Sequence, residues 1–299
     1  MIKIKKGEKK EIEKTTNMNK WIFLILSIIL LAIFCIAITP KTLQNDTFYT
    51  IKVGEQITKT GIDMQDHFSW HQDLAYTYPH WLYDLITYYI YSGFGMQGIY
   101  VTTCILSVIL GLSLYFTNTK IAKNKFLSFT LSAIVIYLLK DYIAARAQLV
   151  TFILFIWIIY FIENFIKNRK VKYGVGIILI SILIANLHVA VWPFMFILFL
   201  PYVGEYIIAL IAEIAIYRKI SIAVLKIAIK ILTKREKNVD KLQEKLNKIE
   251  QKNEKIKEKR EENLKNPYKI KLEKNPNIKW LILVMIICAF TGLLTPLGD

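Results

Sequence analysis

The chain has 299 residues, of which 55% are hydrophobic, and its mean hydropathy of +0.39 argues against a soluble globular protein of this size. Its formal net charge of +16 first suggests a nucleic-acid partner. Most of that charge, however, lies in residues 1–20 and 218–279, beside apolar runs, as in the cytoplasmic loops of membrane proteins, so we expect no nucleic acid.

The apolar runs predict an all-α, polytopic membrane protein with about seven transmembrane helices. Each run approaches the roughly 20 apolar residues that cross a bilayer. The expected spans are 21–39, 97–117, 126–143, 148–166, 173–189, 191–217 and 279–295. The first span is too long for a signal peptide and has no small-residue cleavage site, so we expect a retained anchor.

The basic residues predict the orientation of these spans. If the N-terminus is cytoplasmic, 34 of the 39 Lys and Arg residues fall inside, and only Lys41, Lys52, Lys59, Lys140 and Arg146 fall outside. This bias matches the positive-inside rule. We therefore predict a multi-pass protein of the cell membrane with all four histidines on the outer face.

The predicted organisation has four parts. Residues 1–20 form a basic cytoplasmic tail, 21–217 a membrane core with an outer loop at 40–96, 218–278 a cytoplasmic insert, and 279–299 a last span, with truncation there left open. Within the outer loop, Pro79 can begin a helix and the glycines at 93–98 can end it. Its aromatic residues suit the outer membrane interface, although an ordinary spanning helix is the alternative.

Two patterns mark the insert. Lys226, Lys230 and Lys234 recur every fourth residue along an apolar helix, which suits binding to anionic lipids at the inner leaflet. Beyond them a short coiled-coil seam comprises Val239, Leu242, Leu246, Ile249, Asn253 and Ile256. A dimer, a solvated single helix and an intramolecular hairpin all remain open, and 235–265 is a candidate surface for a protein partner.

No nucleotide-binding or hydrolase motif is present, so any chemistry rests on polar residues at the outer face. Asp46, Asp63 and Asp66 are candidate catalytic acids, although caps or Asx turns explain acids in loops equally well.

Arg146, His188, Asn186 and His80 are candidate substrate-binding residues. Arg146 offers paired donors to a phosphate, whereas snorkelling and ordinary packing are the alternatives for Arg146 and His188. Asn186 and His188 stand in an apolar helix, where polar groups are costly unless paired.

Several short motifs, in order, resemble a large group of bacterial membrane proteins. They are DTFYTIKVGEQI from Asp46, GIDMQDHFSW from Gly61, PHWLYDLITYYIY from Pro79, ARAQL from Ala145, ANLHVAVWP from Ala185 and TPLG from Thr295. This group resembles the GT-C class of membrane glycosyltransferases, which use polyprenyl-phosphate-linked sugars. The resemblance covers the chain outside 218–279. It departs from the usual pattern in lacking adjacent paired acids after the first span and in having Tyr49 and Thr50 where Trp and His are common.

The resemblance implies transfer of a sugar from a polyprenyl phosphate to a cell-envelope acceptor at the outer face. Asp46 matches the catalytic acid of the first outer loop, Asp63 and Asp66 are candidates for acceptor or metal binding, and Arg146 and His188 would bind the lipid phosphate. No cofactor is certain, and a divalent metal stays open. A zinc site at His67, His71 and His80 has no recognised ligand spacing.

Two other functions stay open beside the enzyme. One is a non-catalytic scaffold or envelope-assembly protein, and the other is a transporter, for which no internal repeat or broken-helix pair is visible. The three cysteines, Cys35, Cys104 and Cys288, all lie in apolar runs and are expected to be packed apolar side chains.

Overall fold

The computed structural model describes residues 6–71, 74–212, 215–233, 239–265 and 275–297. Those residues are mostly helical and contain no strand beyond an isolated antiparallel bridge between Gln65 and Ala75. The α-helices are α1 (Lys6–Ile38), α2 (Asn45–Thr60), α3 (Trp81–Ala122), α4 (Lys125–Leu138), α5 (Ala147–Asn168), α6 (Val171–Leu187), α7 (Leu200–Ala212), α8 (Ala215–Thr233), α9 (Asp240–Lys265) and α10 (Ile278–Phe290). Short 3-10 helices occupy Lys140–Tyr142, Val189–Phe199 and Thr291–Leu293. The predicted all-helical class is confirmed.

Among the described residues, four helical segments are long and apolar enough to cross a membrane, judged by length and composition. They are Trp21–Ile38, Trp81–Ala122, Ala147–Asn168 and Val189–Leu210. Three shorter apolar helical segments are Lys125–Leu138, Val171–Leu187 and Ile278–Leu293. Apolar side chains also cover outward faces: on α1, Ile25, Leu26 and Ile33 are each about half exposed. A bare apolar surface of this kind is typical of a membrane protein.

The chain divides into two compact units, residues 1–198 with 283–299, and residues 199–282. In the first unit α3 is central, because α1, α2, α4, α5 and α6 all pack against it. One apolar core joins α1, α3, α4 and α5 and includes Leu31, Leu110, Ile136 and Leu149. This core holds the helices whose ends carry the candidate site.

Helices α1 and α3 cross at small residues. A Cβ at Gly111 would lie 2.6 Å from the Sγ of Cys35, so the glycine is required for this close approach. Ser107 donates a hydrogen bond to the Cys35 carbonyl at 3.3 Å. Cys35 and Cys288 are buried, Cys104 is half-buried, and all three are free, so the expectation of packed side chains is confirmed for Cys35 and Cys288.

Helix α3 is broken at Gly95, whose φ of 61° and ψ of −158° are not helical. A left-handed φ of this kind is unstrained only for glycine. The break separates a first arm, residues 81–94, from a second arm, residues 96–122. The prediction that the glycines near 93–98 interrupt the helix is confirmed.

Helix α2 lies within residues 40–96, the predicted outer loop, and was not predicted as a helix. It packs against the first arm of α3 through the buried side chains of Thr47, Thr50, Ile51 and Ile57. These residues follow the helical spacing of three and four, but two of them are threonines. Since the packed face contains polar residues, the apolar periodicity of α2 is weak in the sequence.

The sixth predicted span, 191–217, begins with a 3-10 helix instead of an α-helix. Pro193 lies within that segment and Pro201 follows it, and neither has an N–H to donate to the preceding turn. The tighter 3-10 turns therefore replace regular α-helix over Val189–Phe199.

In the second unit, α8 and α9 pack together as a hairpin. Lys226 of α8 forms an ion pair with Glu250 of α9 at 3.0 Å. Leu246, from the middle of the predicted coiled-coil seam, is 5% exposed. The sequence left open a dimer, a solvated single helix and an intramolecular hairpin, and the described residues form the hairpin. Residues 235–238, the first part of the predicted partner surface 235–265, lie outside the described residues.

Candidate functional site

Asp46 and Arg146, a hundred residues apart in the sequence, form an ion pair. Asp46 lies in the first turn of α2, and Arg146 directly precedes α5. The Arg146 Nη2 lies 2.5 Å from the Asp46 Oδ2. Both side chains are accessible, with 38% of Arg146 and 63% of Asp46 exposed. The Nε of Arg146 is buried, and no acceptor among the described residues bonds it.

Helix α2 is held beside this pair by buried hydroxyls. Thr47 donates to the carbonyl of Ala145 at 3.3 Å, which ties the first turn of α2 to the residue before Arg146. One turn later, Thr50 is hydrogen-bonded to the carboxylate of Asp84 on the first arm of α3. The Asp46–Arg146 pair is therefore connected through α2 to a second polar pair.

That second pair is Asp84 with His80. The side chain of Asp84 is fully buried, and both its oxygens accept from the Nδ1 of His80, at 2.7 and 2.8 Å. With Nδ1–H donated to Asp84, the remaining nitrogen, Nε2, is an acceptor when the ring is neutral and a donor when it is protonated. His80 itself is 24% exposed. A buried carboxylate thus fixes the orientation of a partly accessible imidazole.

His188 faces His80, with 6.1 Å between the ring centroids. Its Nδ1 lies 3.1 Å from the Oγ1 of Thr151, and that hydroxyl donates its proton to the carbonyl of Ala147. His188 must then donate from Nδ1, which leaves Nε2 as its free position. Thr151 follows Arg146 by five residues, about 7.5 Å along the axis of α5.

Asn186 lies between Trp81 and the last described turn of the chain. Its Oδ1 accepts from the Nε1 of Trp81 at 3.2 Å, and its Nδ2 donates to the carbonyls of Ile182 and Leu294, at 2.8 and 3.0 Å. Both amide N–H groups of Asn186 are used within the protein. The backbone N–H of Val189 also donates to the Pro79 carbonyl at 2.8 Å, so the start of α3 is tied to the end of α6.

Asp63 and Asp66 each have local hydrogen-bond partners in the loop between α2 and α3. Asp63 bonds the Nε2 of His67 at 2.6 Å and accepts from the hydroxyl of Tyr78 at 2.9 Å. The hydrogen bond from His67, assisted by the N–H of Gln65 and by Tyr78, holds the pKa of Asp63 well below its usual range. In turn, burial and the Asp63 carboxylate raise the pKa of Tyr78 to about 12.

Asp66 forms an Asx turn, which is the non-catalytic role that the sequence analysis considered for this residue. Its Oδ1 accepts from the backbone N–H groups of Phe68 and Ser69, at 2.8 and 3.2 Å. These bonds, with that of the Ser69 side chain, lower the pKa of Asp66. The turn fixes the path of the loop between α2 and α3.

The described residues contain no cluster of three or more His, Cys, Asp or Glu side chains suited to a metal ion. Of the three histidines weighed for zinc, His67 bonds Asp63, His71 stacks on Trp70 with 4.0 Å between centroids, and His80 bonds Asp84. The chemistry that these partners support is proton transfer and anion binding.

An apolar cavity of about 200 Å³ opens in the elbow of α3, beside the polar groups. Both arms of α3 line it, with Tyr83 and Ile90 from the first and Ile99 and Leu106 from the second. Ala145 and Leu187, the residues directly before Arg146 and His188, complete its wall. The cavity is smaller than the roughly 300–1,000 Å³ of typical small-molecule pockets, so it would take a segment of an apolar chain.

Asp84 is the site residue that the sequence analysis did not single out. It lies four residues after His80, a spacing at which two helical side chains meet, and this was the available signal. Asp84 lies in the first turn of α3 among apolar and aromatic residues, and a carboxylate buried there needs a hydrogen-bond partner. Thr151 had no comparable signal, because its role depends on a residue of another helix.

Comparison with family models, with curated proteins and with solved structures finds no match to this chain.

Proposed function

We propose that the chain is a GT-C-like membrane glycosyltransferase with seven spans and its site at the outer face. It would transfer a sugar from a polyprenyl phosphate to a hydroxyl of a cell-envelope acceptor. The observation that carries the proposal is the connection of Asp46–Arg146, Asp84–His80 and Thr151–His188 into one polar group beside an apolar cavity. A polar group of this kind in an apolar helical protein costs free energy and is typical of functional sites.

Asp46 is the proposed general base. Its Oδ2 is paired with Arg146, but 63% of its side chain is exposed, so its other oxygen can reach an acceptor hydroxyl. As the hydroxyl oxygen attacks the anomeric carbon, Asp46 takes the hydroxyl proton and the bond from that carbon to the phosphate oxygen breaks. The bonding electron pair leaves with the polyprenyl phosphate. Positioned bases of this kind contribute about 10²–10⁴-fold to rate.

The phosphate site is assigned to Arg146, His188 and His80. Arg146 has a buried Nε–H with no acceptor among the described residues, and a phosphate oxygen would satisfy it. His80 and His188 hold their Nδ1 atoms on Asp84 and Thr151, so Nε2 of each is the atom directed to a ligand. Burial lowers the pKa of His188, so its ring is neutral and its Nε2 accepts from a hydroxyl of the bound substrate, whereas the Nε2 of His80 donates to the phosphate when that ring is protonated. The donors of Arg146 and His80 would stabilise the charge that develops on the leaving phosphate.

The remaining candidates act on the shape of the site. Asn186 orients Trp81 at the start of α3, and Asp63 and Asp66 shape the loop through their local hydrogen bonds. The apolar cavity in the elbow of α3 would receive the part of the isoprenoid chain nearest the phosphate. The surrounding membrane would take the rest of that chain.

The test is transfer of radiolabelled sugar by membranes from an expressing strain, supplied with polyprenyl-phosphate glucose or mannose. Asp46→Asn is expected to lower transfer about 100-fold or more while polyprenyl phosphate still binds. Arg146→Lys keeps the charge but loses the paired donors, so it is expected to weaken binding of polyprenyl phosphate. Asp141→Asn, an exposed acid in the 3-10 helix five residues before Arg146, is the matched control and should transfer normally.

Two results would overturn the proposal. Full activity of Asp46→Asn would show that Asp46 is not the general base. An absence of both transfer and polyprenyl-phosphate binding in the unaltered protein would show that it is not this enzyme. The second result favours the scaffold function, in which the insert at 235–265 binds a protein partner.

A further inference from the structure

Helix α8 has two apolar faces, and α9 covers one of them. Ile222, Leu225, Ile229 and Leu232 are half-buried and share the face on which the helical hairpin packs. On the other face Ile220, Val224, Ile227 and Ile231 are 57%, 58%, 59% and 49% exposed. Their spacing of four, three and four residues places them in one stripe along the helix. We call these four side chains the open stripe.

The charges of the hairpin are divided unequally between its helices. Between residues 215 and 233, α8 has four basic residues, Arg218, Lys219, Lys226 and Lys230, and no acid. Helix α9, in contrast, mixes acidic and basic residues along its length. At 100° per residue, Lys230 lies beside one edge of the open stripe, whereas Lys226 lies nearer the face packed on α9, where it forms its ion pair with Glu250. The open stripe is thus apolar, with a lysine beside one of its borders.

The path of the chain places α8 close to a membrane surface. The candidate span Val189–Leu210 ends five residues before Ala215, the first residue of α8. Five residues reach at most about 17 Å even when fully extended. An apolar face with lysines at its edge is the pattern of helices that lie in the interface of a bilayer.

We propose that the open stripe of α8 docks on the surface of an anionic phospholipid bilayer, with Lys230 at the headgroups and α9 on the aqueous side. The partner is a lipid surface because α8 begins five residues after a candidate membrane span and has four basic residues and no acid. Each lysine near an anionic surface strengthens such binding about fivefold, the equivalent of ~1 kcal/mol. The inference does not depend on the proposed enzyme activity.

The experiment uses the full-length protein in lipid nanodiscs, with Cys35, Cys104 and Cys288 replaced by alanine. An environment-sensitive fluorophore is attached at Val224→Cys in the open stripe. The matched control is Gln251→Cys, an exposed position on α9. Each labelled protein is placed in discs of phosphatidylcholine alone or mixed with phosphatidylglycerol, in both cases with brominated acyl chains, which quench a fluorophore that enters the bilayer.

The expected result is quenching at position 224 in anionic discs, weaker quenching in phosphatidylcholine discs, and none at position 251. Lys230→Gln should lower the docking equilibrium constant about fivefold. The proposal is overturned if the fluorophore at 224 stays in water in anionic discs. It is equally overturned if the fluorophore is shielded but unquenched, since a second copy of the chain or another protein segment would then cover the stripe. Elution at the unaltered volume in size-exclusion chromatography verifies that each variant is folded.

Discussion

Asp63 both holds the loop between α2 and α3 through its hydrogen bonds and makes the stability of that loop depend on pH. Its carboxylate joins His67 and Tyr78, and it precedes Met64, whose φ of 58° is left-handed. Because methionine does not favour that conformation, the hydrogen bonds around it must hold the backbone there. The hydrogen bonds of Asp63 therefore help to hold the loop in this shape.

We expect the loop to loosen at acid pH through Asp63. The folded pKa of Asp63 is lowered, mainly by its hydrogen bond with His67. A lowered folded pKa means that the stabilisation is fully present above the unfolded pKa of about 3.9 and is lost as the pH falls towards the folded value. Limited proteolysis of residues 61–78 between pH 6 and pH 3 should accelerate in the unaltered protein.

Asp63→Asn is the diagnostic variant for this pH effect. It removes the titrating group, so its loop should be cut faster already at pH 6 and should depend less on pH. Asp141→Asn, an exposed acid outside the loop, should behave as the unaltered protein does. An acid response that is the same in Asp63→Asn and in the unaltered protein would show that another group controls the loop.

At the scale of elements, the site depends on how α2 crosses the first arm of α3. A Cβ at Gly54 would lie 2.2 Å from the carbonyl oxygen of Asp84 and 2.6 Å from the Cβ of Tyr88. Such distances are possible for glycine alone, and they bring Thr50 within hydrogen-bond reach of Asp84. The same crossing directs Asp46 towards Arg146.

Gly54→Ala is expected to separate the two helices. Since the methyl group would collide with backbone and not with a flexible side chain, we expect destabilisation of about 1–3 kcal/mol. The measurement is the thermal unfolding midpoint in detergent. Gly93→Ala is the matched control: Gly93 is also helical, a Cβ there would meet nothing within 4 Å, and alanine should be neutral or stabilising by up to about 1 kcal/mol. Equal midpoints for the two variants would mean that the crossing tolerates a Cβ.

The whole molecule presents basic and polar groups in separate regions of its sequence. Among the described residues, seven apolar helical segments, four of spanning length and three shorter, are separated by connecting segments, and Lys and Arg are concentrated in every second one of these connections. Under the positive-inside rule this alternation predicts a cytoplasmic N-terminus and a cytoplasmic α8–α9 hairpin, with the site at the outer face. The proposed reaction depends on that sidedness, because Asp46, Arg146 and the histidines would all face away from the cytoplasm.

Reporter fusions test the sidedness directly. Alkaline phosphatase, which is active only outside the cytoplasm, should be active when fused after Asp63 and inactive when fused after Lys170. A fluorescent protein that folds only in the cytoplasm should give the opposite result at both positions. Phosphatase activity after Lys170, with none after Asp63, would show the opposite orientation and place the proposed site on the cytoplasmic face.

The amino-acid sequence by itself determined the class of the protein, the positions of most helices and the break near Gly95. These properties follow from the length of apolar runs, from charge and from the backbone freedom of glycine, all of which are local. The same reasoning correctly placed the buried cysteines. It named Asn186 and His188 as candidates because polar groups are costly among apolar neighbours, and Asp46, Arg146 and His80 because they are polar residues predicted at the same membrane face.

Only the tertiary structure decided which of these residues meet. Asp46 bonds Arg146, Asp84 holds His80, and Thr151 orients His188, although the first and last of these pairs join different helices. Such pairing depends on the angles and depths at which helices cross, and those are set by single close contacts at Gly54 and Gly111. The periodicity of a helix records which face is packed, but not which residue of another helix packs against it.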